Sequence, residues 1–296
     1  MSSPTSLADA RSFLFVPGNR PERFEKAARS GADAIVLDLE DAVPLQDKGA
    51  ARSAIEAAWP ALHAMRVPLV VRINALEQAL GQDDLRWLAR LLPAPAGVMV
   101  PKAESAAALA SVRAGLPALP ILPLIESAAG WSALQEISRA GVLRLVVGHI
   151  DFMADTGLLC GEDEAELAPL RFAVAMATRA QQLAPAVDGV TAAIQDDARL
   201  RQDTRRALRF GFAAKLCIHP RQVAIVHEVL APTAQEVEWA RRVVAADAAA
   251  LGAAVQMDGR MVDLPVVLQA RRLLARHAAR LTTSASCRVS LPSSGL

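Results

Sequence analysis

The sequence is poor in cysteine and lysine. Its three cysteines, Cys160, Cys217 and Cys287, are odd in number and widely spaced, which argues against a disulfide framework or a zinc site. A reducing cytoplasm is the location expected from this cysteine usage. Only four lysines occur, so chemistry that depends on a lysine amine has few candidates.

Other absences narrow the range of partners. A formal net charge of +1 gives no basic field for nucleic acid or an anionic membrane. Apolar runs are short and interrupted by charges, so no membrane span is predicted. Residues 1–11 lack the basic and apolar regions of a secretory signal. Hydrophobic residues make up 53% of the chain and charged residues 21%, a balance that predicts a globular protein with a sizeable buried core.

Runs rich in Val, Ile and Leu alternate with helical segments through most of the chain. The predicted strands are 12–17, 34–40, 69–74, 97–102, 121–126, 144–151, 186–190 and 213–219. The predicted helices between them include 21–30, 47–65, 83–91, 104–114, 127–140, 165–183 and 196–210. This alternation indicates βαβ units, and eight units predict a closed (β/α)₈ barrel, the TIM barrel.

The chain after residue 230 has a different pattern. Residues 232–249 and 264–280 are predicted to be two helices, joined by a glycine-containing connection without a further barrel strand. We therefore expect a barrel at 1–230, a helical arm or lid at 231–280, and a disordered tail at 281–296. The connection contains DGRMVD at 258–263, which would reach over a barrel mouth, its own or a neighbour's.

Polar and ionisable side chains are predicted at the C-terminal ends of nearly all the strands. In chain order they include Asn19, Arg20, Glu40, Asp41, Arg72, Lys102, Glu126, His149, Asp151, Asp188 and His219. In α/β barrels the active site lies at this face, so we expect the catalytic groups here. Glu126 and Asp151 end successive strands. Mg²⁺ takes one or two protein carboxylates, which predicts a magnesium site, unless both side chains cap neighbouring helices.

The basic side chains allow more than one role. Arg72 would bind a substrate carboxylate or stabilise an enolate, form an ion pair with Glu40 or Asp41, or do both. Lys102 would serve as a Schiff-base nucleophile or, as we favour, as the counter-ion of nearby carboxylates. His149 and His219 are further acid–base candidates.

Several segments together resemble a known family. They are RSFLFVPGNRPERFEKAARSGADAIVLDLEDAV, VVRIN, VPKAES, LIESAAG, IDFMADTG, DGV, KLCIHPRQV and DGRMVDLPVV, in that order. With them the chain resembles the HpcH/HpaI aldolase and citrate lyase β-subunit superfamily, in particular its citrate-lyase-β-like branch. The resemblance implies a TIM barrel, a Mg²⁺ ion, and cleavage or formation of a carbon–carbon bond next to a thioester.

The resemblance also implies roles for individual residues. Glu126 and Asp151 would be the metal ligands, and Arg72 would contact the substrate, with Glu40 and Asp41 around the same pocket. Asn19, Arg20 and Lys102 are candidate substrate-binding residues. Asp263 would be a catalytic acid/base contributed by an adjacent subunit of a trimer or hexamer. Many relatives have Glu-Asp where this chain has Ile150-Asp151, so the resemblance does not specify the substrate.

The expected activity is Mg²⁺-dependent cleavage or synthesis of a 3-hydroxyacyl-CoA such as malyl-, citramalyl- or citryl-CoA. Two alternatives stay open at this point. One is a metal-dependent aldolase that acts on free 2-oxo acids without CoA. The other is a citrate lyase β subunit that acts on a thioester of a carrier protein.

Overall fold

The computed structural model describes residues 6–288, with side chains as far as residue 278. The described chain has two compact units, which divide between Leu230 and Ala231. The first unit is a closed barrel of eight parallel strands in sequence order. The strands are β1 Ser12–Pro17, β2 Ala34–Asp38, β3 Leu69–Arg72, β4 Gly97–Val100, β5 Ile121–Ile125, β6 Val146–Val147, β7 Val187–Asp188 and β8 Ala214–Cys217. The predicted TIM barrel is confirmed.

The barrel closes where β1 pairs with β8, with Ser12 opposite Lys215. One cluster of buried side chains takes members from all eight strands and fills the interior, including Val36, Val70 and Leu124. Since side chains alternate between the two faces of a strand, Asp38, Arg72 and Glu126 lie on the same inward face as these residues. The alternation therefore places three charged groups inside the C-terminal mouth.

Ten helices accompany the barrel strands within the described residues. They are α1 Phe24–Ala28, α2 Lys48–Ala64, α3 Ala79–Leu88, α4 Ala106–Gly115, α5 Ala128–Ser132, α6 Leu134–Arg139, α7 His149–Thr156, α8 Ala168–Ala180, α9 Asp197–Arg209 and α10 Pro220–Leu230. Their apolar faces pack on the outer face of the sheet in a second, larger core. None of the helices within residues 6–288 is long and apolar enough to cross a membrane.

The predicted sixth strand is wrong in its extent. It was expected over 144–151, but only Val146–Val147 pair with neighbouring strands, and α7 begins at His149. The chain leaves the sheet at Gly148, where a Cβ atom would lie 2.3 Å from Glu126 Oε2. Asp151 therefore lies in the first turn of α7 and not on a strand. Helices α7 and α10 were not predicted.

The second unit begins with α11, Ala234–Ala249, whose Thr233 and Glu236 form a capping box. The predicted glycine-containing connection forms an antiparallel hairpin of β9, Val255–Met257, and β10, Arg260–Val262. Gly259, with a φ of 74°, provides part of the tight turn. The final helix α12, Leu264–Arg288, continues into the segment that was expected to be a disordered tail, and residues 289–296 of that segment lie outside the described chain.

Candidate active site

Arg72, at the C-terminal end of β3, is opposite Asp38 in the barrel register. Its Nε and Nη2 atoms each donate a 2.7 Å hydrogen bond to the Asp38 carboxylate. Its Nη1 atom lies 2.9 Å from Glu40 Oε2, in an ion pair without hydrogen-bond alignment. Burial disfavours the charge on Arg72, but Asp38 and Glu40 outweigh burial and raise the pKa of the guanidinium. The ion pair thus forms with Glu40, one of the two predicted partners, and with Asp38, which was not predicted.

Glu40 lies between two cations, because its Oε1 atom accepts a 2.9 Å hydrogen bond from Lys102 Nζ while Oε2 faces Arg72. Burial raises the pKa of Glu40, and the two cations offset only part of this effect. The loop that carries Glu40 is held by Lys48, whose ammonium donates 2.7 Å hydrogen bonds to the carbonyl oxygens of Leu39 and Glu40. Lys48 was not predicted as a residue of the site. Its one signal in the sequence is the scarcity of lysine.

Lys102 follows β4 and has a φ of 46°, in the left-handed region that non-glycine residues rarely adopt. Its backbone N–H donates a 2.6 Å hydrogen bond to Glu126 Oε1, while its side chain pairs with Glu40. Burial lowers the pKa of Lys102, but the bond to Glu40 and nearby carboxylates more than offset this and raise it. The ammonium therefore stays protonated, which supports the predicted counter-ion over the Schiff-base nucleophile.

Glu126 follows β5 directly and is buried, with 3% of its surface exposed. Burial raises its pKa to about 8, with a further contribution from the negative charge of Glu40. Asp151 also raises this pKa, so the two predicted ligands lie close enough to interact. A buried carboxylate among other carboxylates is costly to ionise unless a cation accompanies it. The arrangement is therefore suited to a divalent cation.

The alternative role of Glu126 and Asp151 at helix N-termini fits only Asp151, which lies in the first turn of α7, although neither side chain makes an N-cap hydrogen bond within the described residues. Helix α5 is capped by Ser127, whose hydroxyl accepts the Gly130 N–H. Gly148 precedes α7, which has no side-chain cap. Between residues 6 and 288, no group of three or more His, Cys, Asp or Glu side chains has the geometry of a metal cage. Two carboxylates would fill only part of an octahedral coordination shell. This suits Mg²⁺, because Mg²⁺ keeps several waters and binds substrate oxygens.

Four predicted site residues lie apart from this cluster or at its edge. Asn19 donates to Asp47 and Arg20 donates to Glu22, and neither partner belongs to the cluster around Arg72 and Glu126. Asp41 is exposed, and its charge acts on Glu40 and Lys102. Asp263 belongs to the second unit, where it precedes α12.

Asp188, which was predicted among the polar groups of the barrel mouth, lies instead on the outer face of β7, because its neighbour Val187 faces the barrel interior. It belongs there to a second charged network that was not predicted. Asp188 is fully buried and lies 3.1 Å from Arg171 Nε and 3.2 Å from Lys215 Nζ. Burial opposes ionisation of Asp188, but the two cations lower its pKa to about 2. Arg171 also contacts Glu164, which binds two further arginines of α9. On the outer face of the sheet, this network links α8 and α9 to β7 and β8.

The remaining histidine and cysteine candidates are His149, His219 and Cys217. His149 is buried, and burial lowers its pKa to about 4, so its imidazole is neutral near pH 7. His219 Nδ1 accepts the backbone N–H of Arg221 at the start of α10. Burial raises the pKa of Cys217 to about 12, which excludes a thiolate near neutral pH.

Comparison with known proteins identifies the family of this chain. The family model described as HpcH/HpaI aldolase/citrate lyase matches residues 11–220. The chain belongs to this family.

Relatives match the chain over nearly its whole length. A citrate lyase subunit beta-like protein of Deinococcus radiodurans is 39% identical over 293 residues, covering 94% of this chain and 100% of that protein. A (3S)-malyl-CoA thioesterase of Cereibacter sphaeroides is 32% identical, covering 91% and 95%. The crystal structure of CitE from Mycobacterium tuberculosis with magnesium, acetoacetate and coenzyme A has a TM-score of 0.80 and 34% identity, covering 92% and 100%. The predicted family and its lyase class are thus confirmed.

Proposed function

We propose that this protein cleaves or forms 3-hydroxyacyl-CoA thioesters in a Mg²⁺-dependent reaction. Malyl-, citramalyl- or citryl-CoA would give a 2-oxo acid and acetyl-CoA. The observation that carries the proposal is the buried Glu126 beside Asp151, facing the paired Arg72 and Glu40. It is supported by the magnesium, acetoacetate and coenzyme A in the CitE structure, and by the malyl-CoA named for the Cereibacter sphaeroides relative.

Glu126 and Asp151 would hold the metal. The buried Glu126 with its raised pKa fits a site in which a cation offsets two neighbouring negative charges. When bound, Mg²⁺ supplies positive charge near the oxygens on which negative charge develops during cleavage. The backbone N–H of Lys102 fixes one oxygen of Glu126, so the carboxylate is oriented before a ligand arrives.

Arg72 would stabilise the enolate that cleavage produces. A guanidinium has five N–H donors. Two of them donate to Asp38, and Nη1 lies 2.9 Å from Glu40 Oε2 without hydrogen-bond alignment. The N–H groups that have no hydrogen bond to a described residue would bind the thioester oxygen. Because Asp38 holds the guanidinium in a bidentate pair, its orientation is set in advance, which is the condition under which such donors accelerate a reaction.

Glu40 would accept the hydroxyl proton of the 3-hydroxyacyl group. Its Oε2 atom is buried and accepts no hydrogen bond from the part of the chain that the structure describes, although it lies beside Arg72. The raised pKa of Glu40 brings it closer to that of a useful general base at neutral pH. Loss of this proton opens the carbon–carbon bond and leaves the 2-oxo acid and the thioester enolate.

Asp263 would then protonate the enolate carbon, or remove a proton from acetyl-CoA in the reverse direction. We assign this step to Asp263 of an adjacent subunit, which makes a homotrimer or hexamer part of the mechanism. Mixing inactive Asp263→Asn and Arg72→Lys proteins tests the assignment. Activity should return in the mixed oligomer, because some sites then receive both native residues. If no activity returns under conditions of subunit exchange, the trans assignment is wrong.

The experiment that tests the proposal follows cleavage of malyl-, citramalyl- and citryl-CoA with Mg²⁺ or with EDTA. We expect at least one thioester to be consumed with Mg²⁺ and none with EDTA. Glu126→Gln and Asp151→Asn should each lower turnover by about 10²-fold or more. Glu136→Gln, the same change at an exposed position of α6, is the matched control. Cleavage that survives EDTA, or free 2-oxo acids cleaved without CoA, would contradict the proposal.

A second candidate is a citrate lyase β subunit that acts on a thioester of a carrier protein. It is favoured by the name of the Deinococcus radiodurans relative. The same assay separates the two, since this candidate predicts turnover only after an acylated carrier protein is added.

A cytoplasmic location is inferred from the cysteine usage alone.

A further inference from the structure

Lys48 is a buried cation that has no part in the reaction steps assigned above. It is the first residue of α2, and 8% of its surface is exposed. The positive end of the helix dipole lies at the N-terminus of a helix, so a cation is disfavoured there. Burial disfavours the charge further and lowers the pKa of Lys48, an effect that nearby carboxylates offset only in part. A cation at so unfavourable a position requires an explanation.

The hydrogen-bond partners of Lys48 among the described residues are backbone carbonyl groups and not carboxylates. Its ammonium donates two hydrogen bonds of 2.7 Å, one to the carbonyl oxygen of Leu39 and one to that of Glu40. An ammonium has three N–H donors at the end of a flexible stem, so it can bind two carbonyl groups of one loop at once. The contacts of Lys48 therefore hold a segment of backbone in place.

The segment that Lys48 holds is the start of the loop after β2, which carries Glu40. The carbonyl group of Glu40 accepts from Lys48, and the N–H group of Glu40 donates to Asp38 at 2.9 Å. The N–H group of Ala42 also donates to Asp38, at 3.3 Å. Both backbone polar groups of Glu40 thus have a charged partner, and charge-assisted hydrogen bonds are the stronger ones. This pattern fixes the backbone from which the Glu40 side chain extends.

The far end of the same side chain is fixed by two other cations. Glu40 Oε1 accepts from Lys102 Nζ at 2.9 Å, and Oε2 lies 2.9 Å from Arg72 Nη1. A general base must come within hydrogen-bond reach of the proton that it removes. An error of about 1 Å in such a position costs about 10²-fold in rate. Glu40 therefore needs a fixed backbone as well as fixed oxygens.

We propose that Lys48 is a positioning residue that fixes Glu40 for removal of the substrate hydroxyl proton. The proposal rests on the proposed function, since it takes Glu40 as the general base. Lys48 acts through the backbone carbonyl groups of Leu39 and Glu40 and does not contact the substrate. The proposal gives a reason for a buried ammonium at the start of a helix.

Hydrogen–deuterium exchange tests the anchor without any turnover. Lys48→Met removes the three N–H donors, so peptides covering residues 39–43 should exchange about tenfold faster, or more, than in the native protein. Lys48→Arg keeps a charged donor group and should restore most of the protection. Arg90→Met removes an exposed cation after α3 and should leave the exchange unchanged. Thermal unfolding checks that each variant is folded. Lys48→Gln carries the same expectation if Lys48→Met does not fold.

Kinetics separate positioning from a general structural role. With Mg²⁺ and a thioester that the native protein cleaves, Lys48→Met should lower kcat about 10- to 10²-fold and leave KM within about twofold. Lys48→Arg should recover most of the kcat. The Mg²⁺ affinity measured by calorimetry should equal that of the native protein, because Lys48 binds the loop of Glu40 and not the proposed metal ligands.

Three results would overturn the role of Lys48. They are unchanged exchange of residues 39–43 in Lys48→Met, a kcat equal to that of the native protein, and a Mg²⁺ affinity that falls together with kcat. A native protein that cleaves no thioester would instead refute the proposed function, and the exchange measurement would still decide whether Lys48 anchors the loop.

Discussion

The raised pKa of Glu126 predicts that Mg²⁺ binding to the metal-free protein is linked to proton release. Burial and the charges of Glu40 and Asp151 raise this pKa to about 8. Near neutral pH the side chain is therefore mostly protonated in the absence of metal. A carboxylate must be ionised to bind a cation, so each bound ion displaces this proton.

The size of the effect follows from that pKa. Glu126 is about nine-tenths protonated at pH 7 and about one-tenth protonated at pH 9. About 0.9 proton should be released per ion at pH 7, and the apparent affinity for Mg²⁺ should rise about tenfold between pH 7 and pH 9. The affinity for Mg²⁺ rises with pH because the pKa of Glu126 is raised. A pKa near 4 would give no change in affinity between pH 7 and pH 9.

Titration calorimetry in buffers of different ionisation enthalpy measures both quantities. The heat of Mg²⁺ binding should depend strongly on the buffer at pH 7 and little at pH 9. Glu126→Gln should remove the proton release and weaken binding, whereas Glu136→Gln should change neither. An affinity that is the same at pH 7 and pH 9, with no proton release, would refute the link between burial of Glu126 and the metal site.

Three further predictions concern single residues. Arg72→Lys keeps the charge but loses the bidentate pair, so it should lower kcat/KM about 10²–10³-fold and lower the free energy of unfolding in urea by about 1–3 kcal/mol. Asp188→Asn leaves the buried Lys215 without its carboxylate and Arg171 with Glu164 alone, and should lower the free energy of unfolding by about 3–5 kcal/mol. In the native protein the stability due to Asp188, whose pKa lies at about 2, should be retained above about pH 4 and lost toward pH 2, and the variant should lack this loss. Asp263→Asn should abolish turnover while calorimetry shows unchanged Mg²⁺ affinity, and unchanged turnover would exclude its acid–base role.

The fold was predictable because its signal is repeated. Each strand is a short apolar run, and parallel strands are buried on both faces. All eight strands are therefore predictable from the pattern of apolar runs along the chain. The ends of the elements were less predictable. Residues 145–148 (LVVG) carry no polar side chain, and the change from strand to helix at Gly148 depends on contact with Glu126, which is distant in sequence.

The members of the candidate site were largely predictable, but their pairing was not. Arg72 ends a strand, whereas Glu40, Lys102, Glu126 and Asp151 follow strands, and the barrel brings such positions to one face. The bidentate partner of Arg72 depends on the register between β2 and β3. The left-handed conformation of Lys102 and the burial of His149 Nδ1 without a described hydrogen-bond partner depend on tertiary contacts, which no local pattern encodes.

The charge balance of the cluster connects these pairings to the proposed metal. Asp38 is taken up by Arg72, and Glu40 is shared by Arg72 and Lys102. These two cations thus pair with two of the four carboxylates, and within the described residues no cation forms an ion pair with Glu126 or Asp151. The cations behind the sheet do not compensate them, since Arg171 and Lys215 are bound to Asp188 on the opposite face of β7 and β8. The metal-free protein relieves the excess by keeping a proton on Glu126, and one divalent ion would remove the need for that proton.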